Sequence, residues 1–272
     1  MRVKPKVAMS YTLPYEYDNR QFSLYPLGDI HFGTIHCDIP LLEKTIKEIK
    51  ENPQAYWVGM GDFSEVIGLS DPRFIAEEID PKFYESLGVL PIAETCLAAE
   101  MLSPIADKCL GVIEGNHEFE YRRRHYIDLT QMLAEKLKVP YLDNPSMMRL
   151  LFTRDHHLTR LVVYIDHAGG GGRKNGGKLN GIEDRTVDYE ADIYLRGHVH
   201  SKICSVRRSY ELSKGSNVKI VPKERYYVLT GCYFEPQLRG GSYVSRRSLP
   251  VNGMGTPIIR IDAENGGINV EI

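Results

Sequence analysis

Aspartate, asparagine and histidine recur in this chain directly after apolar runs, in a pattern that could hold metal ions. Gly115-Asn116-His117-Glu118 follows Leu110-Gly111-Val112-Ile113. Gly28-Asp29-Ile30-His31 follows the run from Phe22 to Leu27, and Gly61-Asp62 follows Tyr56 to Met60. His167 follows Leu161 to Asp166, and Gly197-His198-Val199-His200 follows Ile193 to Arg196. In open α/β sheets, ligand sites gather beyond the carboxyl ends of strands. Asp29, His31, Asp62, Asn116, His167, His198 and His200 are therefore candidate ligands.

Carboxylate, amide oxygen and imidazole together suit Mn, Fe, Zn or Co better than Ca. Seven such side chains exceed what one tetrahedral zinc takes. Two metals sharing a carboxylate would use them, and such pairs lie about 3.5–4 Å apart. His198 and His200, at i and i+2 of an extended segment, are expected to share a face and serve adjacent ions. Asp166 either orients His167 or ends its strand, and both readings stay open.

The elements that must position these residues follow from hydrophobic spacing. Phe22–Leu27 and Tyr56–Met60 read as parallel strands around a helix near 40–49, with Asp38 as its cap and Asn52-Pro53 as its end. An insertion over 64–108 shows helical spacing near 72–79 and 91–108, interrupted at Gly88-Val89-Leu90-Pro91. It either covers the sheet or walls the site. Tyr126, Leu129, Leu133 and Leu137 predict one helix over 118–138. Met147–Thr153 and Thr159–Ile165 predict an antiparallel pair, so the sheets are mixed. A short helix is expected around 182–189. Antiparallel strands follow over 201–210, 218–221 and 226–230, with a turn at 214–217 and a closing hairpin over 257–272. Without repeats, low-complexity stretches or a linker, residues 1–272 read as one domain.

Composition narrows the class. The 272 residues carry 42% hydrophobic and 26% charged side chains and a net charge of −2, which describes an ordinary globular protein with no bulk attraction to nucleic acid or membrane. No apolar run approaches the roughly 20 residues of a membrane span, and Met1 to Pro5 lacks the apolar core of a signal peptide. Five scattered cysteines with no Cys-x-x-Cys argue against disulfides and thiolate zinc, so a cytoplasmic location is expected. The glycine-rich stretch 169–177 lacks Gly-Lys-Ser/Thr and is no Walker loop. Arg122 and Arg123, with Arg124, and Arg173 and Lys174, with Lys178, lie close enough to the ligand motifs to contact a phosphate; solvated surface is the alternative for each. His36, His125, His156 and His157 read as ordinary surface or core histidines.

Asp-x-His, Gly-Asp, Gly-Asn-His-Glu, a lone His and Gly-His-x-His, in that order, resemble the calcineurin-like metallophosphoesterase superfamily. The resemblance spans Asp29 to His200 and fills every ligand position. It implies a four-layer αββα sandwich with two mixed β-sheets. It implies two divalent metal ions, with manganese favoured and Fe, Zn or Co as alternatives. Asp29, His31 and His200 would hold the first ion, Asn116, His167 and His198 the second, and Asp62 would bridge them. His117 would be the catalytic acid, and a hydroxide between the metals would attack phosphorus.

By that resemblance the substrate would be a phosphate ester. Protein serine/threonine phosphatases share Gly-Asn-His-Glu but follow their Gly-Asp with an Asp-Arg-Gly sequence, whereas this chain has Gly61-Asp62-Phe63-Ser64-Glu65. Asp29-Ile30-His31 is instead similar to repair-exonuclease and phosphodiesterase branches. A phosphodiesterase acting on nucleotides or nucleic acid is expected, with a phosphomonoesterase and a non-catalytic scaffold as alternatives. No membrane partner is expected, and a homodimer stays open.

Overall fold

The structure is a computed structural model describing residues 8–69, 71–169, 172, 174–213, 218–235 and 253–272. Strand β1 (Met9–Pro14) precedes β2 (Gln21–Leu27), in which every residue from Phe22 onward is buried, as a strand covered on both faces requires. Helix α1 (Ile39–Glu51) starts where the Asp38 carboxylate accepts the Leu41 N–H at 3.1 Å, and it buries Leu42, Thr45, Ile46 and Ile49. Strand β3 (Ala55–Gly59) follows, then a helical run over Pro81–Lys108 whose middle, Leu90–Leu102, is α2. Strand β4 (Cys109–Val112) leads to α3 (Asn116–His125) and α4 (Leu129–Leu137). Next come β5 (Ser146–Arg154), β6 (His157–His167), α5 (Asn175–Glu183), β7 (Ile193–Gly197), β8 (Lys202–Leu212), β9 (Ile220–Thr230), β10 (Ile258–Asp262) and β11 (Ile268–Glu271).

One sheet has the order β11-β10-β2-β3-β4 and the other β1-β5-β6-β7-β9-β8. Both are mixed: β2, β3 and β4 run parallel, as do β6, β7 and β9, while β5–β6, β8–β9, β10–β2 and β10–β11 are antiparallel. The sheets face each other across a core that takes Leu24, Val58 and Ile261 from one and Leu150, Val163 and Leu195 from the other. Helices α1, α2 and α4 cover the outer face of the five-stranded sheet, and α5 covers the six-stranded one. The architecture is the expected αββα sandwich.

Several local expectations change. Residues 72–79 hold only a short 3-10 turn at Ala76–Glu78, whereas the break expected at Gly88 to Pro91 falls where Val89, at φ −130° and ψ 24°, leaves helical geometry and α2 begins at Leu90. The 28-residue run over Pro81–Lys108, with an 18-residue window of mean hydropathy 1.4, is long and apolar enough to span a membrane by length and composition, although charged residues interrupt it. In the fold its Leu90, Ala98, Leu102 and Ile105 pack into the core over the five-stranded sheet. The helix expected over 118–138 is two helices, because Tyr126 adopts a left-handed φ of 58° and is 94% exposed, while Asp128 caps α4 by accepting the Gln131 N–H. The helix expected at 182–189 begins earlier, at Asn175, and takes in Gly176 and Gly177. His157 is tied to the Tyr15 hydroxyl through Nδ1 at 3.0 Å and is only partly exposed. The turn at 214–217 and Arg173 lie outside the described residues.

Candidate metal centre

Strands β2, β3 and β4 of one sheet and β6 and β7 of the other deliver their carboxyl ends to a common place. There the loops lock together through backbone bonds: Asp29 N–H donates to the Gly61 carbonyl at 2.9 Å, and Ile30 and His31 donate to that of Asp62 at 2.9 and 3.1 Å. The approach needs glycine. A Cβ on Gly61, whose φ is +83°, would lie 2.5 Å from Gly115 and 2.9 Å from His167 Nδ1.

Among the described residues three groups of candidate ligand atoms gather, one of them being His31, Glu65 and His117 and the other two the expected clusters. Asp29, His31 and His200 bring one donor atom each to within 4.8 Å of one another, and so do Asp62, His167 and His198. In the first, His31 Nε2 faces His200 Nε2 at 3.0 Å, and His200 Nε2 lies 3.3 Å from Asp29 Oδ1. In the second, His167 Nε2 lies 3.1 Å from Asp62 Oδ2 and 3.0 Å from Asn116 Oδ1, which also meets His198 Nδ1. Asp62 Oδ2 stands 4.0 Å from His31 Nε2, so one carboxylate oxygen faces both clusters. His198 and His200 do divide between the clusters, but not as extended neighbours on one face. Their φ values are 76° and 47°, and Asp29, His31 and Asp62 are left-handed too, at 48°, 53° and 49°. Such backbone costs of order 1–3 kcal/mol per residue and persists where the surroundings impose it, often at functional sites.

The donor set fits divalent metal. His167 Nδ1 bonds the Met60 carbonyl at 2.6 Å and His31 Nδ1 bonds the Glu65 carboxylate at 2.8 Å. Both partners accept, so each Nδ1 carries hydrogen, which leaves Nε2 as the atom that would face a metal. Asn116 Oδ1 and Asp62 Oδ2 lie 3.0 and 3.1 Å from His167 Nε2. Turning the Asn116 amide over would aim its NH2 at His198, Asp62 and His167 instead; either way the arrangement calls for positive charge.

The titration behaviour agrees. Burial works against charge on Asp62, yet the neighbouring His167 and His117 hold its carboxyl well below the usual range. Burial likewise opposes the charge on Asp29, and His200 and His167 outweigh it. His167 is pushed up to about 10, because Asp62 and Asp29 overcome the burial that disfavours its cation. In His117 burial is again outweighed, by the Asp62 and Glu65 charges and a bond to the Glu65 carbonyl, and its pKa rises. His198 is lowered by burial and by His167.

His117 is anchored from both ends: its N–H donates to Asp62 Oδ1 at 2.9 Å, and its Nδ1 to the Glu65 carbonyl at 2.5 Å. Glu65, Glu118 and Asn144 escaped the sequence reading. Glu65 sits three residues after Asp62 and Glu118 ends the Gly-Asn-His-Glu motif, so both stood where a signal could have been read. Asn144 carried none. Its amide oxygen accepts the His167 N–H at 3.0 Å, and its NH2 donates to the carbonyls of His167 and Glu114 at 2.9 and 3.0 Å. Asp166 does not touch the His167 ring. It pairs with Arg196, through Nε at 2.8 Å and Nη2 at 2.5 Å.

The residues expected to grip phosphate separate. Arg122 lines a cavity of about 500 Å3 that also reaches Asn116, Phe119, Tyr141 and His167, but its guanidinium is held by Glu114 at 2.6 and 2.7 Å. Arg123 is largely exposed and paired with Glu120 at 2.7 Å. Lys174 is exposed just before α5. Lys178 is buried, with Nζ donating to the Val199 carbonyl at 3.1 Å and to Ser201, so it secures the His198–His200 loop instead of reaching for substrate.

No protein-family profile and no curated protein matches the chain. Among solved structures it is similar to a conserved uncharacterised protein, a predicted phosphoesterase, from Streptococcus pneumoniae TIGR4. That likeness has 14% identity and a TM-score of 0.34 over 89% of this chain and 84% of the other. It is also similar to wild-type Vps29 complexed with zinc from Entamoeba histolytica, at 10% identity and a TM-score of 0.29, over 92% and 97%. The two-sheet fold, with the motif side chains gathered at its strand ends, is the architecture that the sequence resemblance implied.

Proposed function

We propose that the protein is a metal-dependent phosphodiesterase acting on esters of nucleotide or nucleic-acid type. The observation that carries this reading is the Asp62 carboxylate, whose Oδ2 lies 3.1 Å from His167 Nε2 and 4.0 Å from His31 Nε2. A single oxygen shared between two ligand clusters suits a pair of divalent ions, with manganese the favoured metal and Fe, Zn or Co the alternatives. Asp29, His31 and His200 would hold one ion, Asn116, His167 and His198 the other. When bound, such ions lower the pKa of water and offset charge on phosphate oxygens.

His117 supplies the proton. Its Nδ1 is committed to the Glu65 carbonyl, which leaves Nε2 to carry the transferable proton, and the Asp62 and Glu65 charges favour its protonated form. As the water-derived oxygen bonds to phosphorus and the ester P–O bond breaks, that proton passes to the departing oxygen, leaving a free alcohol and a phosphomonoester. A diester is favoured over a phosphoprotein because Gly61-Asp62 is not followed by the Asp-Arg-Gly sequence of protein phosphatases.

Purified protein loaded with manganese and given bis-p-nitrophenyl phosphate and p-nitrophenyl phosphate tests this. Faster release from the diester is expected, abolished by chelation, with elemental analysis giving two metals per chain. A preference for the monoester overturns the diesterase reading. A folded, metal-loaded protein inert to both esters points to a binding scaffold.

A further inference from the structure

We infer that a cavity between the 64–108 insertion and α3 receives the leaving half of the diester, and that this half is a single nucleotide bearing its own phosphate. The inference rests on the phosphodiesterase reading above. The cavity has a volume of about 240 Å3, with Val66, Leu87 and Pro91 of the insertion on one side and His117, Tyr121 and Arg124 of α3 on the other. His117 sits in its wall. Since His117 protonates the departing oxygen, a group entering here is the one attached to that oxygen.

Size, surface and charge then select the class. Pockets for drug-sized ligands run to about 300–1,000 Å3, so this cavity takes one sugar–base unit and not a polymer. Tyr121 lies against His125, ring centroids 4.4 Å apart and 34° between planes, and lines the cavity together with Val66, Leu87 and Pro91. A flat base can stack on such a surface without sequence preference.

Two arginines stand at the cavity from different elements, and one carboxylate gathers them. Asp71 accepts from Arg73 Nε and Nη2, both at 3.0 Å, and lies 4.0 Å from Arg124 Nη1. Arg124 also lies 3.6 Å from Glu120 of the same cavity, so a phosphate entering here would take the place of carboxylates on both guanidinium groups. On the far side of the centre, the larger cavity carries Glu114, Asp128 and Asp143 against Arg122. A polyanion running across both cavities would meet those carboxylates. The insertion-side cavity sets Asp71 and Glu120 against Arg73 and Arg124, so its carboxylates are matched by arginines.

Three substrates test this with the manganese-loaded protein: bis-p-nitrophenyl phosphate, the dinucleotide dApdA, and its 5′-phosphorylated form pdApdA. The wild type is expected to prefer pdApdA. Tyr121→Ala should lower kcat/KM for dApdA relative to bis-p-nitrophenyl phosphate by about tenfold, the loss of one stacked base. Arg124→Ala should reduce the preference for pdApdA over dApdA by a similar factor. Both variants should weaken deoxyadenosine 5′-monophosphate binding in calorimetry. Variants that keep the wild-type ratios and affinity overturn the inference, as does a wild type that cleaves bis-p-nitrophenyl phosphate but neither dinucleotide. A protein that cleaves none of the three overturns the phosphodiesterase reading, and the inference with it.

Discussion

The Glu118 carboxylate accepts the backbone N–H of Asp62 at 3.0 Å, and that of Phe63 at 2.8 Å through its other oxygen. A side chain in the first turn of α3 thus fixes the loop that carries the shared carboxylate, and it does so buried, at 2% exposure. Glu118→Gln replaces one acceptor by an NH2 group facing an N–H. The variant should lose about 1–3 kcal/mol of stability, the cost of a buried polar group left unpaired. It should also bind manganese more weakly, because Asp62 is no longer held. Urea unfolding and metal titration check this, and a variant unchanged in both removes Glu118 from the support of the site.

The contrast between Glu118 and Asn144 shows how far the sequence could be read. Asp29, His31, Asp62, Asn116, His167, His198 and His200 were legible because each follows an apolar run, and an apolar run bounded by glycine marks a buried strand end. The αββα fold was legible for the same reason. Left-handed backbone at His198 and His200 was not, because it is imposed by loops from other strands and leaves no periodic trace. The break at Tyr126 was hidden by Leu129, Leu133 and Leu137, which continue a helical stripe past the turn. Asn144 precedes a proline in a polar connection, where asparagine is common. Its role exists only because β4 and β6 end side by side.

Asn144 makes three hydrogen bonds, two of them to the backbone of His167. Asn144→Ala leaves that backbone free to shift while removing no candidate ligand. Partners that orient metal ligands are worth about 10–100-fold in metal affinity, and a loss of that size is expected for the Asn116–His167–His198 cluster alone. Calorimetric titration with manganese should show one of two binding steps weakened. If both steps match the wild type, the position of His167 is set by its strand without Asn144.

Asp166 and Arg196 form a buried pair, their side chains 4% and 5% exposed, with the Tyr164 hydroxyl donating to Asp166 at 3.1 Å. Removing one member leaves a guanidinium with no counter-charge in the core. Asp166→Ala should therefore destabilise the protein by about 3–5 kcal/mol, and Asp166→Ala combined with Arg196→Met by much less. Denaturant midpoints of the two variants decide it. Equal losses would mean that Asp166 acts through something other than Arg196.

Glu94 gives stability a pH dependence of its own. It is 1% exposed, and its Oε2 accepts the N–H of Val66, a residue held at a φ of 57°. Burial pushes its carboxyl well above the usual 4.5; the Val66 N–H opposes this, while Glu65 and Glu118 add to it. A raised folded-state pKa means the folded protein keeps a proton that the unfolded chain gives up. The contribution is fully present below pH 4.5 and is lost as pH rises toward and through the folded-state value. Glu94→Gln keeps an oxygen for Val66 and abolishes the titration. The variant should gain on the wild type by about 1.4 kcal/mol per pH unit above the usual glutamate value, until the folded-state pKa is passed. Urea unfolding of both metal-free proteins between about pH 4.5 and pH 8 measures the gap, and a gap that does not widen with pH shows that Glu94 is charged in the folded state.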